Sequence, residues 1–387
     1  MSEQQSEALM ESILIVDDTP ANLRLLTQML AKQGYGVRAV TSGERALESA
    51  IAAPPDLVLL DIKMPGMNGY EVCEKLKADP LTRNIPVIFI SALDEIQDKV
   101  QAFAVGGVDY ITKPFQFKEV LARAETHLSL RRLEKQLREA NSKMEQELAL
   151  AGKVQSSFLP GDLPAPAGWQ MAATLNPARQ TSGDFYDLIS LPDGRLGLVV
   201  ADVVDKGVGA ALFMTLSWIL IRSYAVEYPA EPQRVLRAVN DRILAEIDTG
   251  QFVTVFYGIL DLASGALTYC NAGHPPPYLY SALQGNVAEP LSRTGMALGV
   301  TDAERWEGAI ARFNPGDALV LYSDGVTDAD NREGVPFGRE RLETRVGASL
   351  GRPASEILDG LLAAVQEHAA EAVQSDDVTL MVVTRDP

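Results

Sequence analysis

Seven aspartates at the ends of short apolar runs are the residues of this chain best suited to chemistry. Asp17, Asp18 and Asp61 lie in ILIVDD and LVLLDIKMPG; Asp184, Asp202, Asp324 and Asp376 lie in SGDFYD, LGLVVADVVDKG, LVLYSDGVTDA and SDDVTL. Carboxylates gathered at strand ends repel one another unless a cation or phosphoryl partner compensates, so both sets point to hard, oxygen-coordinated metals. Phosphorylating a carboxylate needs an exposed aspartate, a divalent cation and a fixed cation or hydroxyl that holds the acyl phosphate. Hydrolysing a phosphomonoester needs several carboxylates from distant segments, one of them bridging two metals. The first set, with Ser91 and Lys113 further on, has the makings of the former, and the second set of the latter.

Both sets must be positioned by a folded scaffold. From Ser12 to Leu128, apolar runs such as ILIV, VRAV and LVLL alternate with amphipathic stretches such as NLRLLTQMLAKQ and GERALESAIA. That alternation predicts a parallel sheet covered by helices on both faces, an α/β doubly wound, flavodoxin-like domain. Sites in such sheets lie beyond the carboxyl ends of the strands, where Asp17, Asp61, Ser91 and Lys113 all fall.

Between Phe117 and Phe158 the composition turns to Leu, Glu, Lys, Arg and Gln, with Gly152 as its only glycine and no proline. This predicts one long helix. Leu130, Leu133, Leu137, Asn141, Met144, Leu148, Ala151 and Gln155 step by three and four with one extra four-residue step, the pattern of a short, stuttered coiled coil and a parallel homodimer. A single amphipathic helix packed on its own domains is the alternative reading. Three prolines in LPGDLPAPAG, residues 159–168, end the helix. Dense apolar strands follow (LGLVVADV, FVTVFYGILD, LTYCNAG, DALVLYSDG, DDVTLMVVT), interrupted by helical GAALFMTLSWILIRSYA and PQRVLRAVNDRILAEI and followed by ASEILDGLLAAVQEHA. They predict an α+β layered β-sandwich flanked by helices. The expected organisation is a tail over 1–11, the doubly wound domain over 12–128, the linker helix over 129–158 and the sandwich over 159–387.

With 47% apolar residues among 387, the chain can fill cores of this size, so disorder is not expected. A net charge of −18 argues against nucleic acid and anionic membrane surfaces as partners. Cys73 and Cys270 stand in no metal or redox spacing, and with no N-terminal apolar signal they suit a reducing cytoplasm. No apolar run approaches membrane-spanning length; the best candidate, MTLSWILI, ends at Arg222.

ILIVDD, LLDIKMPGMNG, FISAL and DYITKPF, taken together, resemble the receiver domains of two-component response regulators. The resemblance implies Asp61 as phosphoacceptor and Mg²⁺ held by Asp17, Asp18, Asp61 and the backbone carbonyl of Lys63. It further implies Ser91 and Lys113 on the phosphoryl group, Tyr110 as the switching aromatic, and a cis bond between Lys113 and Pro114. A sensor histidine kinase or phosphotransfer protein is then the upstream partner.

From SGDFYD through ADVVDKGVGAALFM, TYCNAGHPPPYL, LVLYSDGVTDA and DDVTL, residues 152–385 resemble the bacterial, SpoIIE/RsbU-like branch of metal-dependent Ser/Thr protein phosphatases. This implies two Mn²⁺ or Mg²⁺ ions bridged by Asp202, with the backbone carbonyl of Val203 completing one site and Asp184, Asp324 and Asp376 the rest, directly or through water. Asp377 and Asp187 are weaker candidates, of the kind that cap or support a ligand. Arg179 stands where the family places a phosphate-gripping arginine; a surface arginine is the plain alternative. Two positions depart from the commonest pattern: Ser182 replaces the first glycine of GGD, and Val204-Asp205 stand where Ser-Gly is frequent. His274, in a Pro-flanked loop, is expected to be structural. The family's usual substrate is a phosphorylated anti-sigma-factor antagonist. Two other outputs are weighed: a partner-binding module with vestigial catalysis, and a cyclic-dinucleotide cyclase, whose Gly-Gly-Asp-Glu-Phe signature SGDFYD resembles but for the missing Glu.

Overall fold

The structure, a computed structural model, describes residues 10–92, 96–247, 250–282, 287–370 and 372–387. Most of the expected tail over 1–11 lies outside the described residues. The chain divides into two compact units, Met1–Ser142 and Lys143–Pro387.

The first unit alternates strand and helix: β1 (Ser12–Val16), α1 (Pro20–Ala31), β2 (Gly36–Val40), α2 (Gly43–Ala52), β3 (Leu57–Asp61), α3 (Gly69–Ala78), β4 (Val87–Ser91), α4 (Ile96–Ala104) and β5 (Asp109–Thr112), then α5 (Phe117–Ser156). The sheet is parallel throughout, in the order β2-β1-β3-β4-β5. Parallel strands covered on both faces read as unbroken apolar runs, and β3 and β4 are buried at every position. Asn68 and Glu71 form a reciprocal cap on α3, which fixes where the chain leaves the loop after Asp61.

Helix α5 runs 40 residues. Val120, Ala124 and Leu128 are buried in the core of the first unit. Beyond them Leu130, Leu133, Leu137 and Met144 are exposed in the single chain. Gln155, read above as the last seam position, does not belong to that stripe: it is buried against the second unit's own backbone, as detailed below.

The second unit is two antiparallel sheets face to face. One holds β7 (Phe185–Leu191), β8 (Arg195–Val203), β9 (Val253–Asp261), β10 (Ala266–Ala272) and β13 (Ala309–Arg312), in the order β13-β10-β9-β8-β7. The other holds β6 (Trp169–Asn176), β11 (Tyr278–Ser281), β12 (Val287–Pro290), β14 (Ala318–Tyr322) and β15 (Val378–Arg385), in the order β12-β11-β14-β15-β6. Alternation along each strand builds three cores at once. In β8, Leu196, Leu198 and Val200 point between the sheets, toward Leu319 and Leu321 of β14 and Met381 and Val383 of β15. Val199, Ala201 and Val203 point outward, under α6 (Val208–Glu227) and α7 (Pro232–Glu246). On the far side Val320, Tyr322 and Val382 pack under α9 (Gly338–Gly347) and α10 (Ala354–Ala369), while the one-turn α8 (Asp324–Thr327) follows β14. The result is the expected helix-flanked sandwich.

Two details differ from expectation. Helix α9 and strands β6, β7, β11, β12 and β13 carry too little apolar periodicity to be read in advance. Helix α6, expected over GAALFMTLSWILIRSYA, runs 20 residues and is long and apolar enough to cross a membrane, whereas no run was expected to approach that length. Its Phe213, Met214, Ile221 and Ala225 are instead buried on the sheet.

Candidate functional site

In the first unit Asp17 and Asp61 sit at the carboxyl ends of the adjacent strands β1 and β3, nearly buried, with Asp18 exposed beside them. One carboxylate oxygen from each lies within 4.8 Å of the others. Lys113, one residue past β5, places its ammonium 2.8 Å from Asp17 Oδ2 and 2.5 Å from Asp61 Oδ2. Asn22 and the Thr19 N–H donate to Asp17 as well. Burial pushes the Asp61 carboxyl up, against the pull of Lys113. Burial pulls Lys113 down, but its hydrogen bonds to Asp17 and Asp61 outweigh that and hold it protonated. The Lys63 N–H also stabilises the Asp61 carboxylate. Ser91 ends β4 fully buried and its carbonyl accepts from the Lys113 N–H at 2.8 Å. Tyr110 is buried, with the Lys99 ammonium 5.8 Å from its ring centre. The Lys113–Pro114 bond is cis. Three oxygen donors in reach of one point suit a small hard cation, and Asp17, Asp18 and Asp61 are the side chains that would hold it.

In the second unit the four acids come from both sheets. Asp184 immediately precedes β7, Asp202 is the penultimate residue of β8, Asp324 heads α8 directly after β14, and Asp376 lies two residues before β15. Asp184 is buried; its Oδ2 accepts from Thr379 Oγ1 at 2.6 Å. Burial and the neighbouring Asp202 raise its carboxyl well above the usual range. Asp202 is pushed up to about 7 by burial and by Asp324, with Asp376 and Asp377 adding to the repulsion. Asp324 is raised by burial and by Asp376. Lys206 reaches Asp376 Oδ1 at 3.0 Å on the exposed side of the group. Mutually repelling, half-buried carboxylates with so little cationic compensation form a donor set that divalent cations would relieve, so the residues fit the metals that the sequence implies. Among the described residues only Asp17, Asp18 and Asp61 draw three such oxygens within 4.8 Å. The acids of the second set are spread wider than that.

The supports of this second group were only partly foreseen. Asp377 accepts from Ala178 N–H (2.7 Å), Gly183 N–H (2.9 Å) and Ser182 Oγ (2.6 Å), so it ties the 178–183 loop down while its charge still adds to the repulsion on Asp184 and Asp202. Ser182, the departure from GGD, is the hub of that loop: its Oγ also accepts from the Asp184 N–H at 3.0 Å. Gln155 holds the same residue from the other side, as its Nε2 donates to the Ser182 carbonyl (2.6 Å) and its Oε1 accepts from the Ser182 N–H (2.9 Å). Gly325 is required by close approach, since a Cβ there would stand 2.0 Å from the Asp377 carbonyl oxygen. Asp187 is buried in an ion pair with Arg222 of α6, at 2.5 Å, and belongs to packing. Arg179 is exposed on the same loop, and among the described residues it makes no ion pair. Val203 takes its N–H to the Gly183 carbonyl at 3.4 Å, so the Asp202–Val203 backbone and the Asp184 loop are stitched together. His274 is fully buried, 2.9 Å from Thr254 Oγ1, and burial lowers it to about 3, so it is neutral. Asp205 adopts φ 83°, the left-handed backbone that explains why a glycine is usual there. Of the residues not anticipated, Thr379 was legible in SDDVTL as the hydroxyl three positions after Asp376; Gln155 left no such signal.

A family model described as Stage II sporulation protein E (SpoIIE) matches residues 192–386, half of the chain. The chain belongs to the SpoIIE family. The response regulator receiver domain model matches residues 13–125, so a receiver precedes the SpoIIE domain. The SpoIIE match takes in Asp202, Asp324 and Asp376 and begins just after Asp184. Protein IcfG of Synechocystis sp. is 34% identical over 265 residues, which are 62% of this chain and 41% of IcfG. Phosphoserine phosphatase RsbU of Bacillus subtilis is 29% identical over 252 residues, 64% of this chain and 73% of RsbU. The chain thus spans less than half of IcfG's length and about three quarters of RsbU's. The SiaA-PP2C domain of Pseudomonas aeruginosa has the same fold as the SpoIIE domain, with a TM-score of 0.58 at 23% identity over 64% of this chain and 99% of that one.

Proposed function

We propose that the chain is a response regulator in which phosphorylation of Asp61 controls a metal-dependent protein serine/threonine phosphatase. The observation that carries the second half is the convergence of Asp184, Asp202 and Asp324 from two sheets into one group whose carboxyls are raised by burial and by neighbouring carboxylates, Asp376 among them. A protein has no stability reason to build such a group, so its cost is met by what it binds. The matches to SpoIIE and to phosphoserine phosphatase RsbU point to the same chemistry.

Asp184, Asp202, the Val203 carbonyl, Asp324 and Asp376 are the residues assigned to hold two Mn²⁺ or Mg²⁺ ions. When bound, such ions supply a nucleophilic water and charge neutralisation for a phosphoserine or phosphothreonine. The chain's own part is positional. Thr379 and Ser182 fix Asp184, the β8–β9 ladder fixes Asp202, and Arg179, exposed on the Asp184 loop, is assigned to the incoming phosphate. In the receiver, Asp17, Asp18, Asp61 and the Lys63 carbonyl are assigned to Mg²⁺, with Ser91, Tyr110 and Lys113 as the switch.

We assign residues 12–128 to the receiver, 129–158 to a coiled-coil linker that dimerises the chain, and 159–387 to the phosphatase. The substrate is a phosphorylated anti-sigma-factor antagonist in a cytoplasmic partner-switching pathway, and a sensor histidine kinase or phosphotransfer protein acts upstream. The test is phosphate release from a phosphoserine protein with Mn²⁺. Asp202→Ala should reduce it by more than about 100-fold, since even supporting residues of metal sites commonly cost 10–100-fold. Release that is unaffected by this change, or absent in every activation state, would overturn the reading in favour of a non-catalytic binding module.

A further inference from the structure

We propose that Gln155, at the end of α5, is a positioning residue for the metal-binding acids of the SpoIIE domain, acting through the backbone of Ser182. The inference rests on the phosphatase reading and deepens it. Gln155 is 7% exposed, although the two residues on either side of it in the helix are exposed. Its amide meets both the N–H and the carbonyl of one residue, Ser182, at 2.9 and 2.6 Å. A primary amide is the smallest neutral side-chain group that can satisfy a donor and an acceptor together, so this pairing is chemically specific. Three residues earlier, Gly152 lets the helix touch the same loop: a Cβ there would lie 1.9 Å from the Gln180 carbonyl oxygen. The one glycine of the long helix therefore marks its docking point.

What this contact holds is the loop that delivers Asp184. With its main chain fixed by Gln155, Ser182 presents its hydroxyl to Asp377 at 2.6 Å and to the Asp184 N–H at 3.0 Å. Asp184 is thereby set beside Asp202. Without Gln155 the buried N–H and carbonyl of Ser182 lose their partners, and the loop relaxes toward water. A side-chain tip lies about 5–6 Å from its helix axis, so a rotation of α5 by about 20° moves the Gln155 amide by about 2 Å, enough to break both bonds to Ser182. The acids then lose their spacing while the sandwich core stays intact. Any input that rotates or withdraws the end of α5 thus reaches the metal site through a single side chain.

The test uses the full chain with Gln155→Met, which keeps size but neither hydrogen bond; Gln155→Glu, which keeps only the acceptor; Gly152→Ala, which wedges the helix off; and Lys153→Ala, an exposed neighbour, as control. All proteins, the parent included, carry Asp17→Asn and Asp18→Asn to remove the receiver's cation donors; Mn²⁺ binding is then titrated calorimetrically without substrate, and turnover is measured across Mn²⁺ concentrations. Gln155→Met and Gly152→Ala should raise the half-saturating Mn²⁺ concentration by about 10- to 100-fold, the size typical of residues that orient metal ligands. Gln155→Glu should fall between, and Lys153→Ala should match the parent. Saturating Mn²⁺ should bring kcat back to within a few fold, with the substrate KM unmoved. Hydrogen exchange should rise over residues 178–184 and stay unchanged in β8 and β9. Parent-like Mn²⁺ affinity in both Gln155→Met and Gly152→Ala would overturn the positioning role alone. A parent protein that binds no Mn²⁺ would overturn the phosphatase reading with it.

Discussion

The two acid groups of this chain solve the same electrostatic problem in opposite ways. In the receiver, the chain supplies its own cation: Lys113 stands within 2.8 Å of both Asp17 and Asp61, and Asn22 donates to both carboxylate oxygens of Asp17. In the SpoIIE domain no lysine or arginine bridges the group in this way among the described residues. Lys206 pairs with Asp376 and offsets the rise of Asp324 only in part, and burial with the neighbouring carboxylates raises Asp184, Asp202 and Asp324. The first group is therefore compensated in part from within the chain, whereas the second is left as an electrostatic cost that bound cations would relieve.

The sharpest way to break this contrast is through pH. The Asp202 carboxyl lies near 3.8 in the unfolded chain and near 7 in the folded one, so between those values the folded state holds the extra proton. Stability of the metal-free SpoIIE domain should accordingly fall as pH rises from about 4 to 7, by on the order of 2–4 kcal/mol, and stay low above that. Asp202→Asn should flatten the dependence and be the more stable protein at pH 7.5, and Mn²⁺ added to the parent should restore what was lost. Thermal unfolding from pH 4.5 to 8, with and without Mn²⁺, measures all three. A metal-free domain that gains stability over this range would mean that the acids are compensated internally, as in the receiver.

The complementary break is in the receiver. Lys113→Ala strips the cation from two nearly buried carboxylates and should destabilise the first unit by about 1–3 kcal/mol, less than a fully buried pair because Lys113 is partly exposed. Urea unfolding of the full chain should show the earlier midpoint in the receiver's transition only. Unchanged stability would show that Asn22 and solvent suffice, which would erase the difference between the groups.

The same contrast explains what was legible in the sequence. Receiver acids follow unbroken apolar runs in consecutive βα units, so strand-end logic alone brings Asp17, Asp61, Ser91 and Lys113 to one edge. The sandwich brings Asp184 to Thr379 of the SDDVTL segment across 195 residues, and only the motif pattern announced it. The strands β6 and β7 were missed because WQMAATLN and FYDLISL mix polar and apolar residues without a clean alternation; β7 buries Phe185 and Ile189 under the helices and Tyr186 and Leu188 between the sheets. Helix α9, GRERLETRVG, buries little beyond Leu342 and Val346. Gln155 misled for a physical reason: on a long polar helix the 3–4 spacing cannot distinguish a seam position from one buried by a neighbouring loop. Ser182 and Asp205 were visible only as departures from a family pattern, and the structure gives each a different meaning. Ser182 contributes hydrogen bonds that a glycine could not make.

Asp205 makes the smallest and most local test. At φ 83° a side chain crowds its own carbonyl, which aspartate tolerates by donating nothing and accepting the Lys206 N–H at 2.8 Å through Oδ1. Glycine has no Cβ to crowd, but it loses more freedom on folding, and the two effects oppose. Asp205→Gly should therefore stabilise the SpoIIE domain by only about 0.5–1 kcal/mol, seen as a higher unfolding midpoint in urea. Because Asp205 is exposed and two residues past Val203, the change also removes one negative charge from the rim of an over-acidic group. If that charge contributes to the repulsion, the gain should be larger at pH 7.5 than at pH 5, and Asp205→Asn should reproduce the pH-dependent part without the backbone part. A gain that is the same at both pH values, and absent in Asp205→Asn, assigns the whole effect to φ and confines the electrostatic cost to Asp184, Asp202, Asp324 and Asp376.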